Sequence, residues 1–214
     1  MAVFLRAASL TAVRLLVWRV GCDMKPFANR GRFNRRTWLP AALIVGLSVA
    51  CAGYYHLTRH SRGAILNGLR DDINAHYGHR DGGPCINWGP CGRFAKAFRQ
   101  QWNARFREKV NIAFVLEPDG FCPHVVLKFS DGSYFDGGNG VMSEAKLLTL
   151  YGHDDRIEEM VQYDERLLDQ RVGGLNHEHY SWCPNYSDSL TTKLIEKHLA
   201  LLASDLDESA KGHQ

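Results

Sequence analysis

The chain has 214 residues, of which 45% are hydrophobic and 23% charged. That composition belongs to a folded globular protein and excludes a disordered or low-complexity chain. The net charge of +3 conceals a split: residues 1–62 carry ten Lys/Arg against one acid, Asp23, and the remainder carries sixteen against twenty-two acids. Positive charge thus lies outside the globular part, which argues against a nucleic-acid partner and for charge that orients a membrane segment.

Residues 1–37 form a basic N-terminal segment. Within it, residues 1–23 intersperse apolar residues with Arg6, Arg14 and Arg19. They read as an amphipathic surface helix, or as an upstream stretch if translation starts at Met24. No residue between Arg36 and Arg59 carries a formal charge. Residues 38–58 are long enough to cross a bilayer core of about 30 Å. Trp38 and Tyr54-Tyr55 stand at the two ends, where aromatics prefer the interface. Arg30, Arg32, Arg35 and Arg36 precede the run, and only Arg59 and Arg62 follow closely. The positive-inside rule then predicts a single-pass inner-membrane protein, N-terminus cytoplasmic, with residues 59–204 exported. A buried core helix is one alternative. A cleaved secretory signal is another, since Ala50-Cys51-Ala52 has the small-x-small form of a cleavage site.

The exported part reads as α+β, helices around a short antiparallel sheet. Ile65, Leu69, Ile73 and Tyr77 predict a helix over 61–77, broken by Gly78 and Asp81-Gly-Gly-Pro84. Phe94, Ala97, Phe98, Trp102 and Phe106 predict a second from about Cys91 to about Lys109. Its other face carries Arg93, Lys96, Arg99, Arg105, Arg107 and Lys109, read as a solvated face or as a contact for an anionic polymer or membrane surface. Val110–Leu116 is a strand, followed by a turn at Pro118-Asp-Gly120. The runs His124–Phe129 and Tyr134–Asp136 flank Ser130-Asp-Gly-Ser133 and predict a hairpin. Gly137–Gly140 is a loop. Ser143 caps a short helix reaching about Leu150, with Glu144 in its first turn. Residues 155–170 and 188–203 complete the helices, the latter capped by Ser187, and 205–214 is a polar tail.

Three residues combine into a candidate catalytic site. Cys91 lies at a helix start, where the positive dipole end and unpaired N–H groups favour a thiolate. His124 opens a strand and is the candidate base, holding and later releasing the thiol proton. Asp136 closes the next strand and is the candidate for orienting the imidazole. Asn87 or Trp88 is a candidate oxyanion donor beside the Cys91 N–H. This order, Cys at a helix start, His on a strand and Asp on the next, resembles the papain-like cysteine peptidase superfamily. Its bacterial relatives include cell-wall peptidases and transglutaminase-like proteins. The likeness covers roughly residues 84–140 and implies acyl transfer at a peptide or protein amide, with Asn139 a spare third member. It implies no cofactor.

Two rival readings concern the other cysteines. Disulfides persist outside the cell, so Cys85 paired with Cys122 or Cys183 would staple an inert interaction domain. His177, His179 and Cys183, completed by Cys122 or His124, would form a zinc site. There is no phosphate-binding glycine loop, because Gly137-Gly-Asn-Gly140 lacks the lysine and the following helix. His177-Glu-His179 has the wrong spacing for two ligands on one helix face. The lipid bilayer and an amide substrate are the expected partners.

Overall fold

The computed structural model describes residues 62–175 and 182–211. The predicted membrane span, and the His177 and His179 of the zinc reading, lie outside the described residues. Among the described residues no helix is long and apolar enough to cross a membrane.

Helix α1 spans 62–77 and buries Leu66, Leu69, Ile73 and Tyr77. Leu66 takes the place expected for Ile65, because a helix of 3.6 residues per turn drifts off a strict every-fourth row. Gly78 at φ +77° ends it in the left-handed conformation favoured after a helix. A small hairpin follows: β1 (His79–Arg80) pairs with β2 (Gly83–Pro84). Its two turn residues, Asp81 and Gly82, both have positive φ, as a tight hairpin turn requires. A 3-10 turn, Cys85–Asn87, then leads through Trp88-Gly89-Pro90 into α2 (Cys91–Arg105).

Helix α2 buries Phe94, Ala95, Phe98 and Trp102. It stops short of the predicted Lys109 because the Asn103 side chain pairs with the backbone of Val110 (2.9 and 3.1 Å) and turns the chain towards the sheet. Lys109 Nζ meanwhile donates to the carbonyls of Asn103 and Phe106.

The sheet has five antiparallel strands in the order β6-β5-β4-β3-β7: β3 (Asn111–Leu116), β4 (His124–Lys128), β5 (Tyr134–Asp136), β6 (Gly140–Met142) and β7 (Arg156–Met160). Ile112, Phe114 and Leu116 face the core shared with α1, α2 and α5 (Asp188–Lys211); Ala113 and Val115 face Leu147 of α3 (Glu144–Tyr151). Helices thus cover both faces, which explains why these strands are continuously apolar rather than alternating.

Three predictions need correction. Residues 155–170 are not one helix: Arg156–Met160 is strand β7, and α4 covers Glu165–Arg171. Pairing with β7 satisfies the otherwise open edge of the buried strand β3, which outweighs the local helical pattern. The Asp164 carboxylate accepts the N–H groups of Arg166 and Leu167 and restarts the chain as a helix. Gly140 is not only loop, since it opens β6. Ser143 caps α3 by accepting from Lys146 N. Helix α5 starts after Ser187 as expected and runs on to Lys211, into the stretch read as polar tail.

Candidate functional site

The first residue of α2, the first of β4 and the last of β5 are Cys91, His124 and Asp136. The β4–β5 register pairs Leu127 with Phe135 and Lys128 with Tyr134. Continued outward, it sets Asp136 beside Val126, one diagonal place from His124 on the same face of the sheet. His124 Nε2 lies 3.2 Å from Asp136 Oδ2. Both side chains are almost wholly withdrawn from water, and Cys91 is 8% exposed.

Asp136 is held from several sides. Its Oδ1 accepts Gly138 N (2.8 Å), Asn139 N (2.5 Å) and Asn87 Nδ2 (3.3 Å), and its Oδ2 accepts Asn139 Nδ2 at 3.0 Å. Burial works to raise the Asp136 pKa. The His124 bond and charge and the Asn139 donors outweigh it and hold the carboxyl below its ordinary value. Gly138 permits this wrapping, because a Cβ there would stand 2.5 Å from Pro84 and 2.6 Å from Asn87 Oδ1.

With Nε2 on Asp136, the nitrogen left for the thiol is Nδ1. It is buried and makes no hydrogen bond. The Cys91 thiol lies close enough to the ring to favour its charged form. The contact is looser than a standard hydrogen bond, as such contacts often are without substrate. Burial pushes the His124 pKa down, but the bonds and charges of Asp136 and Cys91 prevail and raise it to about 9. The imidazolium is therefore the favoured form at neutral pH.

Tyr151, the last residue of α3, stacks on the His124 ring at 4.6 Å and 12°. Burial, then the charges of Asp136 and Cys91, push its hydroxyl well above the ordinary value, so the stacked ring stays neutral. Sequence reasoning missed it. A tyrosine at a helix end carries no local signal of a distant imidazole.

The remaining candidates fall elsewhere. The Asn87 amide donates to Asp136, and at 3.5 Å to the Tyr151 hydroxyl, so it braces the acid rather than facing the thiol. Trp88 stands at the rim, 46% exposed, 5.7 Å from Trp182. Asn139 backs Asp136 with two donors. Cys122 Sγ donates to His124 O at 3.3 Å; burial, then the Cys91 charge, push its thiol up to about 12. A cavity of about 510 Å³ opens beside Cys122, between Phe121 and the Leu167–Gly173 end of α4. Its Val172 packs over Gly92, the residue after Cys91.

No family model matches this chain, and no curated protein and no solved structure is significantly similar to it. The site's chemistry therefore rests on its own geometry.

That geometry bears on the rival readings. All four described cysteines are free thiols. Cys183 lies against Cys85 and Cys122 is next to Cys91's charge, so the two cysteines of the zinc reading belong to different thiol neighbourhoods. Among the described residues no group of His, Cys, Asp or Glu is arranged to hold a metal. Much of the basic face of α2 is engaged internally. Arg93 pairs with Asp188 and Lys96 with Glu165; Arg99 lies over the Tyr163 ring. Arg105 donates to the Glu196 carbonyl.

Proposed function

We propose that this protein is a membrane-anchored thiol enzyme acting on an amide bond, a peptidase, amidase or acyl transferase of papain-like character. One observation carries the reading: a buried His124–Asp136 pair whose remaining imidazole nitrogen is left to a thiol at a helix start. In the proposed reaction the Cys91 thiolate attacks the amide carbonyl carbon, and His124 Nδ1 holds the proton that the thiol gave up. The C–N bond then breaks as Nδ1 donates that proton to the leaving nitrogen, which leaves a thioester on Cys91. Water, or a second amine, attacks the thioester with His124 taking its proton, and the thiol is restored. Asp136 keeps the imidazole oriented and stabilises its cation. The Cys91 backbone N–H, in the first helical turn without an intrahelical acceptor, is the oxyanion donor; the Trp88 indole nitrogen lies against Gly83 instead.

The charge split and the uncharged run 38–58 support anchoring in the inner membrane with the catalytic domain outside. A peptide or protein amide is then the substrate within reach. The second reading is a papain-like domain without activity, favoured by how little of Cys91 and His124 is exposed.

The rate of iodoacetamide alkylation at each cysteine of the full chain, followed against pH by mass spectrometry, separates the two. The catalytic reading expects Cys91 to react fastest, already below pH 7, and to slow in His124→Ala. A Cys91 that reacts no faster than an ordinary thiol, or that is indifferent to His124, overturns it.

A further inference from the structure

The stretch from Tyr77 to Trp88 and the stretch from Trp182 to Thr191 lie along one another. Tyr77 meets Tyr186 with ring centroids 5.6 Å apart, and its hydroxyl bonds Ser187 O and Thr191 Oγ1. Trp88 meets Trp182, and the Arg80 guanidinium lies 4.4 Å over the Trp182 ring. Midway between these contacts are two thiols. Cys85 opens the 3-10 turn, and Cys183 precedes α5. They are 6% and 1% exposed, and the two thiols are neighbours. Four cysteines allow three pairings. Contacts on both sides of this pair favour one of them, since Cys122 is turned to the His124 carbonyl instead.

The geometry points to a structural disulfide between Cys85 and Cys183, formed during folding by exchange with an external disulfide such as oxidised glutathione or an oxidase's cysteine pair. One protein thiolate attacks a sulfur of the oxidant disulfide, expels one of its thiols and leaves a mixed disulfide. The second protein thiolate attacks the protein sulfur of that bond and expels the other thiol. The protein gives up two protons and two electrons, and the oxidant disulfide is reduced to two thiols. Burial, then the neighbouring Cys85, push the Cys183 thiol up to about 12. In the folded protein it is therefore a poor nucleophile at neutral pH. Once closed, the bond is shielded from reductant. Export would supply the oxidising compartment. The bond also ties the α5 entry to the turn that holds Asn87 on Asp136, and leaves Cys91 free.

The test is to denature and reduce the full chain, refold it with oxidised and reduced glutathione, and map its cysteines by mass spectrometry without reduction. Trypsin leaves Cys85 and Cys91 in one peptide, between Arg80 and Arg93, so the map is made on the wild type and on Cys91→Ser. The expected result is a linked Cys85–Cys183 pair. Its reduction lowers Tm by about 10 °C, from the entropy of a loop of about 100 residues. The double variant Cys85→Ser, Cys183→Ser should show no such response, and Cys122→Ser should keep it. Cys85 and Cys183 both alkylated without reductant, or Cys85 linked elsewhere, overturns the inference. So does a wild-type Tm indifferent to reductant. None of these outcomes requires enzyme activity, so this inference and the catalytic reading fail separately.

Discussion

Replacing Asp136 by asparagine keeps the shape of the site, reverses the hydrogen bond to His124 and removes the acceptor of Asn139 Nδ2. Gly138 N, Asn139 N and Asn87 Nδ2 all donate to Oδ1. The carbonyl oxygen of the new amide must stay there to accept them, which places its NH2 at the Oδ2 position, facing His124 Nε2. An NH2 group can only donate, so Nε2 must become an acceptor and the ring proton moves to Nδ1. That nitrogen then has no lone pair for the Cys91 proton. The same substitution costs about 10⁴-fold in turnover where an aspartate orients a catalytic imidazole in serine peptidases. The charge effect acts in the same direction. Burial disfavours the imidazolium, and the net rise of the His124 pKa from 6.5 to about 9, roughly 3 kcal/mol, is what remains after Asp136 and Cys91 together overcome it. Removing the Asp136 share should cut Cys91 alkylation by iodoacetamide at pH 6–7 by about 10–100-fold. Nitrogen NMR of the imidazole should show the neutral ring protonated on Nδ1 in the variant and on Nε2 in the wild type. Wild-type alkylation together with an Nε2–H ring in Asp136→Asn would refute the reasoning.

Other consequences are open to measurement. The His124 pKa is raised, so its contribution to stability is complete below about pH 6.5 and disappears as pH rises through about 9. The urea midpoint of the wild type should fall across that window relative to His124→Asn, and parallel curves would remove the ion pair from the account. Gly138→Ala drives a Cβ against Pro84 and Asn87. At about 1–3 kcal/mol for overpacking, Tm should fall by about 4–10 °C and Cys91 alkylation should slow. Gly63→Ala, with open space around it, is the control and should leave Tm unchanged or raised. Tyr151→Phe keeps the ring stacked on His124 and should preserve Cys91 reactivity, whereas Tyr151→Ala admits water to the imidazole and should reduce it. Equal reactivity in the two variants would show that the stacked ring does not matter.

The amino-acid sequence by itself determined what short-range physics controls. Apolar periodicity placed α1 and α2, Ser143 and Ser187 marked two helix starts, and Asp-Gly turns marked the β4–β5 hairpin. The same local reading placed Cys91 at a helix start and His124 and Asp136 at strand ends. Whether those three meet depends on strand register and on how α2 packs on β4, contacts between residues far apart in the chain. Only the tertiary structure decided that residues 156–160 pair with β3 instead of continuing a helix, since an unpaired buried strand costs more than local propensity returns. It also decided that Asn87 braces Asp136 and that Tyr151 covers His124. Cys85 likewise stands against Cys183 only in the folded chain. No spacing in the sequence encodes these partners, because burial and unsatisfied polar groups select them only once the chain is folded.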